Sequence, residues 1–200
     1  MIKRALISVY RKDGITEFAK ILSGSGIEII STGGTYNLLK ENNINVRSVE
    51  ETTGFPEILN GRVKTLHPNI FAGILSDRDN PDHVREIAER NIKEIDLVIV
   101  NLYPFEETIA KENITDTEAI EQIDIGGVSL IRAAAKNFRH VNVLTDIDQY
   151  DEYIELFKIT GNNIPNEYSR NLAGKAYSAT SRYDKNISEY FTGHDFVNSG

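Results

Sequence analysis

The sequence predicts a three-layer α/β fold, in which helices cover both faces of a mostly parallel sheet and a helical extension follows. Strand-like and helix-like segments alternate through the first third of the chain, and this alternation favours a parallel sheet. Residues 97–100 (LVIV) form an uninterrupted apolar run, which is typical of a strand buried on both faces. Beyond residue 145 the apolar residues recur at helical spacing, which indicates the extension.

The first third of the chain contains two strand-helix units and a third strand. Apolar residues at 15, 18, 19 and 22 repeat with helical period, after a β-rich apolar stretch and an Asp13-Gly14 turn. A Gly- and Ser-rich stop ends this helix, and the pattern then repeats. The predicted strands are 5–9, 27–30 and 46–49, and the predicted helices begin at residues 15 and 36.

The middle of the chain, residues 51–80, lacks regular periodicity and is rich in Gly, Pro, Asn and Thr. We therefore expect a segment dominated by loops, which in a compact domain is often functional. The elements predicted after it are helices at 82–91, 116–122 and 128–136 and strands at 97–100 and 141–144.

The domain organisation follows from where the strand pattern ends. We expect a core over residues 1–145, a helical extension over 146–193 and a tail over 194–200. Ile147, Tyr150, Ile154 and Phe157 begin the helical spacing of the extension.

The composition narrows the classes of function. A formal charge of −8 over 200 residues argues against a broad surface for nucleic acid or anionic membranes, so an anionic ligand needs a local basic pocket. The absence of Cys excludes disulfides, thiolate catalysis and Cys-type zinc sites. The start lacks a signal-peptide core and no apolar run reaches transmembrane length, so we expect a cytoplasmic protein.

The stretch TGGT at residues 32–35 follows a predicted strand and opens a predicted helix. Glycines there allow close approach of the backbone, and the amide groups and helix dipole suit a phosphate. The structural alternative is a tight turn capped by hydroxyl groups. The pattern is neither the longer dinucleotide motif nor the Walker motif. Lys12, at the end of the neighbouring strand, favours the anion interpretation.

Other candidate residues have structural explanations when each is taken alone. A solvated basic turn accounts for Arg62, Lys64 and His67. A helix C-terminal cation and a helix cap account for Lys136 and Asp124. Tyr103 before Pro104 is compatible with an aromatic residue packed at a strand end.

The combination of motifs points to one family. In chain order the motifs are SV (8–9), KDG (12–14), TGGT (32–35), TGFPE (53–57), GRVKTLHP (61–68), NLYPF (101–105), DIGG (124–127) and AAAKN (133–137). With them the chain resembles the inosine-monophosphate (IMP) cyclohydrolase domain of the bifunctional purine-biosynthesis enzyme, and the resemblance extends through residue 190.

This resemblance implies a methylglyoxal-synthase-like, Rossmann-like fold with a nucleotide-binding core, and a homodimer. It implies an enzyme of the cyclic amidine hydrolase class that works in the ring-closing direction. The substrate would be 5-formamidoimidazole-4-carboxamide ribotide (FAICAR), closed to IMP with loss of water in the last step of purine biosynthesis. No cofactor or metal is implied, and sequences typical of the family's formyltransferase domain are absent from these residues.

The resemblance also assigns roles to individual residues. The catalytic candidates are Lys64, Tyr103, Asp124 and Lys136. The substrate-binding candidates are Ser8, Tyr10, Lys12, Thr32, Gly33, Gly34, Thr35, Arg62, Val63, Thr65, Val100, Asn101, Ile125 and Gly126. Lys12 and residues 32–35 would hold the 5′-phosphate.

For the chemistry, Asp124 would be the base and Lys136 the proton donor and acceptor, while Lys64 and Tyr103 would face the developing oxyanion. We expect the four segments that carry these residues to converge on one pocket. Tyr10-Arg11 departs from the small polar residue and Asp or Asn usual in the family.

Two other functions fit the same fold. One is a lyase like methylglyoxal synthase, although the usual Asp-containing pattern of that family is absent. The other is a nucleotide-sensing regulatory domain, which fold alone does not exclude. The set of four catalytic candidates favours an enzyme over a sensor, because a sensor has no need of an acid-base pair.

Overall fold

The computed structural model of the chain describes residues 1–110 and 114–193, and its centre is one five-stranded sheet. The strands are β1 (Arg4–Ile7), β2 (Glu28–Ser31), β3 (Val46–Ser48), β4 (Leu97–Ile99) and β5 (Asn142–Leu144). Their order is β3-β2-β1-β4-β5, and every neighbouring pair is parallel. The predicted parallel sheet is confirmed, and each predicted strand lies within two residues of its observed bounds.

Ten helices surround the sheet in the described residues. They are α1 (Ile15–Gly24), α2 (Gly33–Glu41), α3 (Val49–Thr53), α4 (Pro68–Leu75), α5 (Pro81–Glu89), α6 (Phe105–Ile109), α7 (Asp116–Glu121), α8 (Gly126–Lys136), α9 (Tyr150–Ile159) and α10 (Asn166–Gly193). A short 3₁₀ helix occupies Ile147–Gln149, and Leu59–Gly61 form a tight turn with positive φ.

The prediction of a loop-dominated segment over residues 51–80 is wrong in part, because α4 lies inside it. The His67 imidazole accepts a hydrogen bond from the Asn69 amide and caps α4, and Pro68 occupies the first helical position. Ile70 and Ile74 then bury one face of the helix. These two residues are too few for the spacing to stand out from a Gly- and Pro-rich background.

The hydrophobic core has two halves, one on each face of the sheet. Along β1 the side chains alternate, so that Ile7 packs with α1 and α9 while Leu6 packs with α4 and α8. The second half also contains Ala173 and Ala176 of α10. The predicted three-layer arrangement is therefore confirmed, and α10 packs against both α8 and the edge strand β5.

Charged residues close the amino end of the sheet, where the strands begin. The Asp96 carboxylate is buried and accepts hydrogen bonds from the amides of Lys3 (2.7 Å) and Arg4 (2.8 Å). The same carboxylate binds the Arg78 guanidinium at 2.7 Å. Beside it Arg4 pairs with Glu28 at 2.5 Å. Ion pairs and backbone hydrogen bonds therefore hold this end of the sheet together.

Within residues 1–110 and 114–193, none of the helices combines the length and the apolar character needed to cross a bilayer. The tail predicted over residues 194–200 lies outside the described residues.

Candidate active site

A cleft of about 530 Å³ opens at the carboxyl end of the sheet, and we call it the Lys64 cleft. Parallel α/β sheets usually bind ligands at this end. The predicted site residues that line it are Ser8, Thr32, Arg62, Lys64, Thr65, Asp124, Ile125 and Gly126. These residues come from the ends of β1 and β2, the loop before α4, and the start of α8.

The predicted phosphate turn lies at the edge of this cleft: Thr32 lines the cleft, and Gly33 lines an adjoining cavity that Lys64 also lines. Thr32 is extended, and α2 begins at Gly33, whose φ of 54° favours glycine. The first amides of a helix have no acceptor within the helix, so those of α2 are oriented to bind an anion. A carbon added to Gly33 would lie 3.6 Å from Lys64 Nζ. The Lys64 ammonium therefore adds a positive charge next to the turn.

Thr35 and Lys12 form hydrogen bonds that connect the turn at residues 32–35 to the end of β1. The Thr35 hydroxyl is buried; it donates to the Val9 carbonyl (3.0 Å) and accepts from the Val9 amide (3.1 Å) and from Lys12 Nζ (2.9 Å). Burial lowers the pKa of Lys12. The Thr35 side chain thus joins the turn to the end of β1, and its backbone amide is the group available to a ligand.

The loop that carries Lys64 has a strained backbone. Ile58 and Val63 form an antiparallel bridge, and between them Leu59, Asn60 and Gly61 all have positive φ, of 55°, 53° and 87°. Such a conformation is uncommon for a bulky residue such as Leu59, and strain of this kind clusters at functional sites.

The strained turn also sets the position of the Lys64 side chain. A carbon added to Gly61 would lie 2.7 Å from Lys64 Cε, so the missing side chain makes room for Lys64. Glu57 Oε2 lies 3.4 Å from Lys64 Nζ on the same side.

Asp124 forms the opposite wall. Its carboxylate accepts a hydrogen bond from the Gly127 amide at 2.6 Å, and a carbon on Gly127 would lie only 2.5 Å from the other carboxylate oxygen. The Asp124 amide donates to the Tyr183 hydroxyl at 2.7 Å. Burial raises the pKa of Asp124, and the Gly127 hydrogen bond offsets part of the rise. Asp124 thus caps the start of α8 and also presents a partly buried carboxylate to the cleft.

Arg62 and Glu121 pair at the mouth of the cleft. Arg62 Nε lies 3.0 Å from Glu121 Oε1, and a second guanidinium nitrogen contacts the other carboxylate oxygen. The hydrogen bond raises the pKa of Arg62 and lowers that of Glu121. Both side chains are largely exposed, so an anionic ligand can compete for Arg62.

Tyr103 lines a second, larger cleft of about 920 Å³, which we call the Tyr103 cleft. It lies beside the ends of β4 and β5 and is bounded by α10. The Tyr103 and Tyr10 rings lie 4.3 Å apart. Tyr103 therefore belongs to a different cleft from Lys64 and Asp124.

Asn101 holds the loop after β1 in place. Its amide oxygen accepts from the backbone amides of Tyr10 (2.6 Å) and Arg11 (2.9 Å), and its amide nitrogen donates to the Arg11 carbonyl (3.2 Å). These contacts involve the backbone of residues 10–11. The unusual side chains of Tyr10 and Arg11 therefore do not disturb these hydrogen bonds to Asn101. Val100 is buried, so its side chain does not reach a ligand.

Lys136 lies far from the Lys64 cleft. It is the last residue of α8 and is exposed, ten positions after Gly126, which corresponds to about 15 Å along a helix. It lines a smaller cavity together with Asp77 and His140. The expectation that all four catalytic candidates converge on one pocket does not hold in the described chain, because α8 separates Lys136 from Asp124.

One group of side chains among the described residues has the spacing of a metal site. The candidate ligand atoms of Asp77, Asp79 and His140 lie within 4.8 Å of one another. His140 Nε2 contacts Asp77 at 3.0 Å, and Asp79 is mostly exposed. This group lies beside Lys136, away from both clefts.

Sequence reasoning missed Glu121 and Tyr183 as site residues. Glu121 belongs to a predicted helix and carries no motif, and Tyr183 lies 59 positions after Asp124. Gly127, whose amide binds Asp124, was also not named as a site residue, but its place in the DIGG motif could have identified it.

Comparison with known proteins assigns the family. The family model described as "MGS-like domain" matches residues 14–129, more than half of the chain. The chain belongs to the MGS-like domain family. A second model, described as "AICARFT/IMPCHase bienzyme", matches residues 134–199, so the region after the MGS-like match also has a known counterpart.

Relatives of this MGS-like chain include bifunctional purine biosynthesis proteins PurH. The protein from a Thermoanaerobacter species is 57% identical over 190 residues, which are 95% of this chain and 37% of that protein. The protein from Bacillus cytotoxicus is 53% identical over 192 residues, 96% of this chain and 37% of that protein. The MGS-like chain thus spans a little over a third of these relatives.

The crystal structure of ForH has the same fold. It aligns with a TM-score of 0.84 and 35% sequence identity, over 96% of this chain and 100% of that one. The match covers the MGS-like region and nearly all of the helical extension.

Proposed function

We propose that the chain is an IMP cyclohydrolase that closes FAICAR to IMP with loss of water. The observation that carries the proposal is that Lys64 and Asp124 face one cleft beside the TGGT turn. Such a cleft offers an anion site, a cation and a carboxylate to one small phosphorylated molecule. The similarity to PurH proteins along 95% of the chain supports the same activity.

In the proposed reaction, the carboxamide nitrogen of FAICAR attacks the formyl carbon of the same molecule. Asp124 accepts the proton that this nitrogen loses, and its raised pKa makes it a stronger base than an exposed aspartate. The Lys64 ammonium stabilises the negative oxygen that develops on the formyl carbon.

Ring closure is completed by loss of that oxygen. The proton on Asp124 returns to the oxygen, which takes a second proton and leaves as water, while the former formamide nitrogen loses its proton. One carbon-nitrogen bond forms and one carbon-oxygen bond breaks, so the step requires no oxidant or metal. The 5′-phosphate lies against residues 32–35, with Arg62 released from Glu121 to bind the nucleotide.

Tyr103 and Lys136, the other two catalytic candidates, do not have equal roles in the proposed reaction. The Tyr103 hydroxyl is a further donor to the oxyanion, provided that its loop closes toward the Lys64 cleft. Lys136 has no direct role in the chemistry of a single chain, because about 15 Å of helix separates it from the cleft. A homodimer remains part of the proposal because the family resemblance implies it, and a cytoplasmic location remains part of it because of the sequence composition.

Turnover of FAICAR by the purified 200-residue chain tests the proposal. We expect IMP to form without added cofactor, and its appearance is followed by ultraviolet absorbance and confirmed by mass spectrometry. Tight binding of IMP without turnover would instead identify a nucleotide sensor. Methylglyoxal release from dihydroxyacetone phosphate would identify a lyase.

We also expect no folate-dependent formylation of aminoimidazole-carboxamide ribotide by these 200 residues. The chain covers 37% of its PurH relatives, and a second activity needs the remaining length. Formylation by the purified chain would contradict this part of the proposal.

A further inference from the structure

We propose that Tyr183 is a positioning residue for ring closure, which fixes Asp124 in the Lys64 cleft through a hydrogen bond to its backbone. The inference rests on the proposed function, because it assigns Tyr183 a part in that reaction. Tyr183 lies on α10, outside every motif that carries the family resemblance.

The first argument is the geometry around Asp124. The Tyr183 hydroxyl accepts the Asp124 amide at 2.7 Å, while the Asp124 carboxylate accepts the Gly127 amide at 2.6 Å. One bond fixes the backbone of the residue and the other fixes its carboxylate. Together they determine where the base points, and reacting groups displaced by about 1 Å lose roughly 100-fold in rate.

The second argument is that Tyr183 is itself held rigidly. Its side chain is 7% exposed, and burial raises the pKa of its hydroxyl to about 12, so the group stays protonated at neutral pH. Its ring packs edge-on against Phe105 at 6.5 Å. A buried amide that loses its acceptor is costly, so this bond persists in the folded chain.

The third argument is that Tyr183 joins the two clefts. Phe105 follows Tyr103 by two positions and begins α6, so the Tyr183 ring contacts the segment that carries Tyr103. Its hydroxyl contacts the segment that carries Asp124. Tyr183 also lines the Tyr103 cleft. One residue of the helical extension thus sets the relative position of two catalytic candidates.

Tyr190 provides a matched control on the same helix. It is 5% exposed and packs edge-on against the same Phe105 at 5.5 Å. Its hydroxyl binds the Asp116 carboxylate instead of the Asp124 backbone. Tyr190→Phe therefore removes a tyrosine hydroxyl from the same helix, next to the same Phe105, and leaves the hydrogen bond to the Asp124 backbone in place.

The experiment compares the full 200-residue chain with Tyr183→Phe and Tyr190→Phe, using FAICAR as substrate and IMP as ligand. We expect Tyr183→Phe to lower kcat per folded molecule by about 10–100-fold and to leave IMP affinity unchanged, because the phosphate turn is untouched. Tyr190→Phe should keep the wild-type kcat. Melting temperatures of all three chains give the folded fraction.

A double-mutant cycle separates positioning from general loosening. In an Asp124→Asn background, we expect Tyr183→Phe to cause no further loss of kcat, because its effect passes through Asp124. Losses that multiply would overturn the inference, and so would a Tyr183→Phe chain that matches Tyr190→Phe. A wild-type chain that forms no IMP would overturn the proposed function itself, which the other two outcomes leave intact.

Discussion

The two ends of the sheet use aspartate in opposite ways. At the amino end, Asp96 accepts two backbone amides and pairs with Arg78, so its carboxylate is fully engaged. At the carboxyl end, the Asp124 carboxylate accepts one hydrogen bond from the part of the chain that the structure describes, from the Gly127 amide, and burial raises its pKa. A buried carboxylate stabilises the fold when donors surround it, and it becomes a base when few do.

The two ends of helix α8 also differ in their surroundings, because one faces the Lys64 cleft and the other does not. At its start, Gly126 and the preceding residue Asp124 face a cleft, whereas its last residue, Lys136, is exposed near Asp77 and His140. A lysine at the C-terminus of a helix interacts favourably with the helix dipole and so stabilises the fold. We therefore expect mutations at the carboxyl end of the sheet to change turnover, and mutations at the amino end to change stability.

The largest expected effect is that of Asp124→Asn on ring closure. Removal of a general base typically costs about 10²–10⁴-fold in rate, and IMP binding should persist because the phosphate turn is unchanged. Single-turnover conversion of FAICAR measures the rate, and calorimetric titration with IMP measures binding. Near-normal closure would show that Asp124 is only a helix cap.

Asp96→Asn is the counterpart at the other end of the sheet. It removes the charge that faces Arg78 and leaves an amide opposite backbone donors. We expect a loss of roughly 2–4 kcal/mol in the free energy of unfolding, with turnover per folded molecule unchanged. Urea denaturation measures the loss, and a large fall in kcat per folded molecule would contradict the division between the two ends.

The pH dependence of stability is expected to differ between wild type and Asp124→Asn. Because the pKa of Asp124 is raised in the folded chain, its contribution is most favourable below the unfolded value of about 3.9. That contribution is lost as pH rises through the folded value. At neutral pH the Asn variant should thus melt at or above the wild-type temperature.

Melting curves from about pH 4 to pH 8 check this expectation, because the difference between the two chains should shrink toward acid. An Asn variant that is markedly less stable at neutral pH would show that the negative charge of Asp124 stabilises the fold.

Lys136→Ala should have the smallest effect. The loss of a cation at a helix C-terminus costs about 0.3–1 kcal/mol of stability, and kcat per folded molecule should stay near wild type. Thermal melting and FAICAR turnover on the same sample measure both. A fall in kcat as large as that of Asp124→Asn would mean that Lys136 reaches a Lys64 cleft in an arrangement beyond the single chain, such as the cleft of a second copy.

Local sequence determined most of the fold. The strand at 97–100 and the helix from Ile15 could be predicted from neighbouring residues alone. This is because an apolar run and a helical repeat are both visible within a short stretch of sequence. The turn at 32–35 was recognised for the same reason, since its glycines, hydroxyls and helix start are adjacent. Helix α4 was missed because only two of its buried residues, Ile70 and Ile74, carry large apolar side chains, which gives a weak periodic signal.

Only the tertiary structure decided which candidates meet. The motifs treated Lys64, Tyr103, Asp124 and Lys136 as one set, but the length of α8 puts Lys136 at the far end from Asp124 and the folded loops put Tyr103 in a neighbouring cleft. The contact between Asp124 and Tyr183 spans 59 positions and exists because α10 packs against α8. Sequence order fixes the chemical groups, whereas the distances between them depend on packing between elements that are remote along the chain.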